Sequence, residues 1–342
     1  MDVSNVFLHG DMHERIFLRR PPGFHTAFPE NPVWQLHRPV FGLKHVPREW
    51  HAKLSATLGS LGFSASHSGA SLFIRSSPRR FFILVYVDDM ILLSDFKADM
   101  EQLKLSLQQR LKCKDLGNLT HYLGMAITRN RPARTITLSQ SQYISHDLEK
   151  LEMAQAKSVS TPLPFGHQLA PPTSPSSSSH PYPELVGSLM YAMMCTRPDL
   201  AYPISGYGFT LGSGLVSWCS TRSSAISLSS CKAELYAGTM AAQDSRWLCN
   251  LLAELGAPQR CPTLWFDNAS TIHLTQDPVY HARSKHIELR NSFIRELVQQ
   301  GLLAIRKITA EANWADIFTK ALSSPAHSTL LRLLGLARPG AP

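Results

Sequence analysis

The sequence predicts an α+β domain followed by a smaller α/β unit, and three observations carry that prediction. Up to about residue 150, short β-branched or aromatic runs alternate with stretches whose apolar residues recur at helical spacing. Residues 162–183 hold Pro171-Pro172, Pro175, four serines from Ser176 to Ser179 and Pro181, a composition that cannot bury a core and predicts a linker. From Ile204 onward, strand-like and helix-like segments resume. A chain of 342 residues is long enough for two cores, and 44% hydrophobic with 17% charged residues describes a globular protein.

Each element follows from its pattern. Residues 49–61 place Trp50, Leu54, Leu58 and Leu61 on one helical face, and residues 98–111 do the same with Met100, Leu103, Leu107 and Leu111. Between them, two apolar runs at 81–87 and 90–93 have strand length and predict a hairpin turning at Val87-Asp88-Asp89-Met90. Residues 135–138 read as a strand and 141–151 as a helix; a further helix at 183–195 ends before Arg197-Pro198. In the second unit, strands are expected at 209–211, 214–219, 224–230, 263–266 and 303–308. Helices are expected at 232–255, 269–274 and 287–300, with a last one opening at Ala312 and a frayed tail at 338–342.

The turn of the hairpin carries the most chemistry. Asp88 and Asp89 set two like charges side by side between apolar runs, so each opposes ionisation of the other. A divalent cation relieves that repulsion, and hard oxygen donors suit Mg²⁺; a solvated Asp-Asp turn is the competing reading. The net charge of +9 favours a polyanionic partner, nucleic acid or a membrane surface. Arg15, Arg19, Arg20, Arg38, Lys44 and Arg48 concentrate that charge near the start. The six cysteines are scattered without a C-x-x-C pair, which predicts reduced intracellular thiols and excludes a zinc finger built on His281 and His286. No apolar run is long enough to span a bilayer, and the polar N-terminus has no signal-peptide pattern, so no membrane partner is expected.

A series of motifs resembles the copia type of LTR retrotransposon Pol polyprotein. Tyr86-Val87-Asp88-Asp89 is similar to the Y-V-D-D box of reverse transcriptases, and residues 1–11 to the M-D-V-x-x-A-F-L-x-G-D stretch of that family. Pro21-Pro22-Gly23-Phe24, the G-L-K-x-x-P-R-x-W run from Gly42 to Trp50, Lys114-Asp115-Leu116-Gly117 and Tyr122-Leu123-Gly124 follow in the family's order. So do the 185–191 run, Thr196-Arg197-Pro198-Asp199, Ser284-Lys285-His286-Ile287-Glu288 and the 315–320 run.

The resemblance implies a reverse transcriptase palm and start of the thumb over 1–160, then a linker over 161–183 and a remnant thumb or connection helix over 184–203. A truncated ribonuclease H-like domain over 204–322 and a tail over 323–342 complete the expected order. It adds Asp2 as a third carboxylate beside Asp88 and Asp89, the three sharing two Mg²⁺ ions, with Mn²⁺ able to substitute; one ion would activate the primer 3′-hydroxyl and the other hold the triphosphate. Phe7 matches the position whose ring lies under the sugar, against a plain core phenylalanine. Lys44 and Arg48 match template or triphosphate contacts, against ordinary surface charges, and Tyr86 belongs to the catalytic box. In the second domain Glu234, Asp267 and Asp316 match carboxylates that hold two metals for hydrolysis of RNA, and His286 matches an auxiliary to that reaction or a structural histidine. The implied partners are RNA template, DNA primer, RNA–DNA hybrid, dNTPs and other Pol or Gag products of the element, and the implied location is an intracellular particle or the nucleus.

Departures from the family pattern predict a decayed copy. The sequence opens at the first catalytic aspartate, so the fingers are expected to be missing, and a long stretch with the first ribonuclease H strand and its aspartate is absent between Pro203 and Ile204. Val6 replaces an alanine, His45 a glutamine, and Cys231-Lys232 a Thr-Glu pair. The expected outcome is loss of both activities; the alternative class is a non-catalytic, basic nucleic-acid-binding remnant, which predicts salt-dependent binding to hybrid without Mg²⁺.

Overall fold

Strict alternation in the 81–86 run sets the first half of the fold: Phe81, Ile83 and Val85 are buried while the residues between them are not. The computed structural model describes residues 1–10, 14–19, 33–166, 182–201, 205–212, 214–221, 230–259, 261–276 and 285–336. Contacts divide the chain into two units, Met1–Leu119 and Thr120–Pro342. The division lies earlier than the boundary near 160 expected from the motifs.

The first unit contains β1 (Asp2–Val3), β2 (Phe17–Arg19), β3 (Val33–Gln35), α1 (Val46–Gly59), β4 (Ser64–Ala65), β5 (Leu72–Arg75), β6 (Phe81–Tyr86), β7 (Asp89–Leu93), α2 (Lys97–Arg110) and β8 (Cys113–Lys114). Six strands form an antiparallel sheet in the order β4-β5-β6-β7-β1-β8, and β2 pairs with β3 separately. Pro47 in the first turn of α1 costs no intrahelical bond there, and Val46, Trp50, Leu54 and Leu58 then recur every four residues and are all buried. With Leu103 and Leu107 of α2, they cover the apolar face of β6.

The hairpin turn is tighter than the sequence suggests. Tyr86 pairs with Asp89, so only Val87 and Asp88 lie in the turn and Asp89 opens β7. The chain reverses in two residues because Val87 takes φ +55°, a left-handed conformation that costs a β-branched residue steric strain.

The second unit opens with an antiparallel meander of β9 (His121–Tyr122), β10 (Met125–Asn130) and β11 (Thr135–Ser139), followed by α3 (Ser141–Lys150). Of the expected linker, residues 167–181 lie outside the described set. Helix α4 (Tyr182–Cys195) packs on α3 through Tyr143 and Tyr191, whose rings meet edge-on at 4.9 Å. The Tyr191 hydroxyl also donates to the Leu123 carbonyl, and Thr196 donates to Gln140 at 2.6 Å. In the Thr-Arg-Pro-Asp motif, Arg197 forks onto buried Asp199 with two bonds of 2.9 Å.

An antiparallel hairpin of β12 (Ser205–Leu211) and β13 (Gly214–Thr221) follows, then the long α5 (Ser230–Glu254). Next, β14 (Thr263–Phe266) leads through α6 (Ala269–Gln276) and α7 (Lys285–Gln299) to its parallel partner β15 (Ala304–Lys307). Leu235, Ala242, Phe266, Ile294 and Leu303 form the core between these helices and strands. The strand expected at 224–230 falls outside the described residues except Ser230, which opens α5.

The end of the chain departs from expectation. Ala312 opens no α-helix; 3₁₀ turns at Ala310–Ala312 and Trp314–Phe318 stand there instead. Within the stretch expected as a tail, α8 (Ser324–Leu333) buries His327, Leu330 and Leu331 and closes a small core with Ile317, Phe318 and Leu334. Glycines explain the close packing of the 314–318 turn. A Cβ on Gly206 would sit 2.9 Å from the Phe318 Cβ, and one on Gly208 would sit 3.0 Å from the Trp314 ring, so β12 offers that turn a bare backbone face. All six cysteines are free thiols. Among the described residues, no helix is long and apolar enough to cross a membrane.

Candidate functional site

In the first unit, Asp2 of β1 stands directly opposite Asp89 of β7, so their side chains share one face of the sheet. Asp88 precedes them at the exposed tip of the hairpin. Backbone bonds lock this register: Val3 N–H donates to the Asp88 carbonyl at 2.9 Å, Met90 N–H to the Met1 carbonyl at 2.8 Å, and the Met1 amine to the Met90 carbonyl at 2.7 Å. Burial, then the charges of Asp88 and Asp2, push the Asp89 carboxyl above its ordinary range. Asp2, Asp88 and Asp89 are hard oxygen donors of the kind that suit Mg²⁺, but they are not drawn together as a three-ligand metal-binding set. On its other side Asp2 faces Lys114.

The turn rests on α1. The Trp50 indole N–H donates to the Val87 carbonyl at 2.8 Å. Phe7, Pro47, Trp50, Leu54, Val85 and Val87 line a cavity of about 190 Å³ beneath it. Phe7 is buried and meets Phe41 edge-on at 4.5 Å. Lys44 and Arg48 are exposed at the N-terminal end of α1, the end that lies beside the turn, and Tyr86 is exposed next to Val87. His45 occupies the N-cap of α1 without making a side-chain cap bond.

In the second unit Glu234, Asp267 and Asp316 are likewise brought together, from α5, the end of β14 and the 314–318 turn. Glu234 Oε1 accepts from the backbone N–H of Asp267 (3.1 Å) and of Asn268 (3.3 Å), and its Oε2 accepts from the Thr271 hydroxyl at 2.7 Å. Asn313 donates to Asp267 Oδ2 at 3.0 Å, and Lys320 pairs with Asp316 at 2.8 Å. Desolvation, opposed by Thr271 and reinforced by Asp267, carries the Glu234 carboxyl up to about 7. Asp316 is also raised, by burial against the pull of Lys320. Each of these carboxylates already has protein donors. Among the described residues, no group of three His, Cys, Asp or Glu side chains is assembled as a metal-binding set. His286 lies in the first turn of α7, and its side chain falls outside the described residues.

The sequence reading missed Trp50 as a partner of the turn, and also Thr271 and Asn313. Asn313 had a local signal. Its side chain accepts from Ala315 N–H at 3.3 Å, the behaviour of an N-cap asparagine immediately ahead of a helical turn.

A mixed α and β domain with a central antiparallel sheet is the class of protein the first unit describes, and comparison with known proteins gives its family. The family described as Reverse transcriptase (RNA-dependent DNA polymerase) matches residues 1–164. The chain is 32% identical over 405 residues to the retrovirus-related Pol polyprotein from transposon TNT 1-94 of Nicotiana tabacum, covering 98% of this chain and 30% of that protein. It is 29% identical to the Pol polyprotein from transposon RE1 of Arabidopsis thaliana, covering 99% of this chain and 27% of that one. It is also 33% identical to the putative transposon Ty5-1 protein of Saccharomyces cerevisiae, with 60% of this chain and 67% of that protein covered. The chain belongs to the copia-type retrotransposon Pol family and carries its reverse transcriptase domain. It spans less than a third of the length of the two plant polyproteins. No solved structure matches.

Proposed function

We propose that the chain supplies the palm of an RNA-directed DNA polymerase acting on an RNA template, a DNA primer and dNTPs. The observation that carries this reading is the register of β1 and β7, which sets Asp2 opposite Asp89 with Asp88 at the adjoining tip. Asp2, Asp88 and Asp89 would hold Mg²⁺, which in such sites activates the attacking hydroxyl and stabilises the leaving oxygen. Asp88, at the exposed tip, is open to substrate. Lys44 and Arg48 add two cations to the positive end of the α1 dipole, an arrangement suited to a triphosphate. Phe7 lies close enough to the turn to line the same cavity as Val87 and would exclude a ribose 2′-hydroxyl.

The test is dNTP incorporation on a poly(rA)/oligo(dT) primer–template with Mg²⁺ or Mn²⁺. Any incorporation by the wild type, against the loss of activity expected from the departures in sequence, should fall by at least about 100-fold in Asp88→Asn/Asp89→Asn, because the developing charge loses its ion. Folded wild-type protein that incorporates nothing yet binds hybrid would favour the non-catalytic reading.

For Glu234, Asp267 and Asp316 we infer a ribonuclease H-type centre by descent that no longer hydrolyses RNA. The tobacco comparison runs over 405 residues, longer than this chain of 342, which supports loss of a stretch inside the aligned region. Moreover, Glu234 spends both oxygens on the start of α6. Mg²⁺-dependent release of fragments from a labelled RNA–DNA hybrid, abolished by Asp267→Asn, would overturn this.

A further inference from the structure

We infer that Trp50 is a positioning residue for Asp88, acting through the peptide between Val87 and Asp88. The inference rests on the reading of Asp88 as a metal ligand and adds what holds it in place. A peptide unit is planar, so fixing the Val87 carbonyl fixes the N–H of Asp88 and the direction in which the chain enters that residue. The Trp50 indole does this with a 2.8 Å bond from a side chain that is itself only 4% exposed. The next peptide is fixed independently, because the Asp88 carbonyl accepts from Val3 N–H at 2.9 Å. Asp88 is therefore clamped on both sides, once by α1 and once by β1.

The clamp answers a local need. Val87 is β-branched and holds φ +55°, a conformation that persists only where the surroundings enforce it. Apolar packing beneath the turn is incomplete, since a cavity of about 190 Å³ separates Val87 and Val85 from Pro47 and Leu54. A directional bond from the indole supplies the constraint that packing leaves open. Without it the backbone at position 87 would relax to an ordinary φ and swing the Asp88 carboxylate away from Asp2 and Asp89.

The experiment follows Mn²⁺ binding to the full chain by electron paramagnetic resonance, defining the hairpin component as the part lost in Asp88→Asn/Asp89→Asn. Trp50→Phe keeps an aromatic ring at the position and removes the N–H, together with the five-membered half of the buried indole. It should weaken the hairpin component about tenfold, the lower end of the effect seen when an outer partner of a metal ligand is removed. Adding Val87→Gly, which adopts positive φ without strain, should restore most of that loss. Hydrogen exchange of the Val3 and Met90 amides, read without metal, should quicken in Trp50→Phe and recover in the double variant. Unchanged Mn²⁺ affinity and unchanged exchange in Trp50→Phe would overturn the proposal, as would a loss that Val87→Gly does not restore. A wild-type chain with no hairpin component would instead overturn the metal reading, and the exchange arm would then decide the positioning role by itself.

Discussion

Glu234 shows how one side chain can be a candidate site residue and a part of the fold at once. Its carboxylate receives two backbone N–H groups and one hydroxyl from the segment that starts α6, so removing it strands donors that are partly shielded from water. Glu234→Ala should therefore cost about 1–3 kcal/mol of stability, measured by urea unfolding. Glu234→Gln should not, because the amide oxygen still accepts from the backbone and the amide nitrogen can donate to the Thr271 hydroxyl. The pair also differ in pH dependence. The folded carboxyl titrates at about 7, above its ordinary 4.5, so between those values the folded state binds more protons than the unfolded one. Stability from this group is thus fully present below 4.5 and is lost as pH rises through 7. Wild type should lose melting temperature relative to Glu234→Gln from about pH 5 to about pH 8; parallel curves would sink the assignment. Subtracting the variant isolates Glu234 from Asp89 and Asp316, which are raised as well.

Among the elements, the crossing of α5 over β14 is the tightest contact with a functional consequence. A Cβ on Gly238 would lie 2.6 Å from two atoms of the Phe266 ring, which is only 4% exposed and has little room to turn. Gly238→Ala gains about 1 kcal/mol of helix propensity but overpacks the crossing at a cost of about 1–3 kcal/mol. The expected result is a net loss of about 1 kcal/mol in urea unfolding, with Phe266, the residue before Asp267, displaced. A more stable variant would show that the ring yields freely. Such crossings explain what the sequence disclosed and what it concealed. Helices α1 and α2 were legible because Trp50, Leu54 and Leu58, and then Leu103 and Leu107, repeat at the period of one helical face, a purely local signal. The hairpin was legible as a pair of apolar runs, but its two-residue turn was not, because a left-handed valine is chosen by a tryptophan 37 residues away. The glycines of β12 were silent for the same reason: their partners, Trp314 and Phe318, lie roughly a hundred residues on. Asp88 and Asp89 were readable from the hairpin pattern and Asp2 only from the resemblance; the register that sets Asp2 opposite Asp89 was not readable from either. Thr271 had meaning only once α6 stood beside Glu234, and Asn313, legible locally as an N-cap, showed its bond to Asp267 only in the folded chain.

At the scale of the whole molecule, the charge of +9 on 342 residues is the property that survives any loss of catalysis. Cations that neutralise phosphates release condensed counterions, so affinity for nucleic acid should fall with salt in proportion to the phosphates engaged. Engagement of about four phosphates gives a slope near −3.6 in log affinity against log salt, a loss on the order of 100-fold between about 50 and about 200 mM. Fluorescence anisotropy of a labelled RNA–DNA hybrid with the full chain measures this directly. The Asp88→Asn/Asp89→Asn variant separates two contributions, since it removes two negative charges along with the hairpin ligands. If electrostatics dominates, the variant binds at least as tightly as wild type in the absence of Mg²⁺, with an unchanged salt slope. Binding that ignores salt, or that vanishes with the two aspartates, would mean that recognition depends on the hairpin carboxylates and that the basic surplus is ordinary solvated surface.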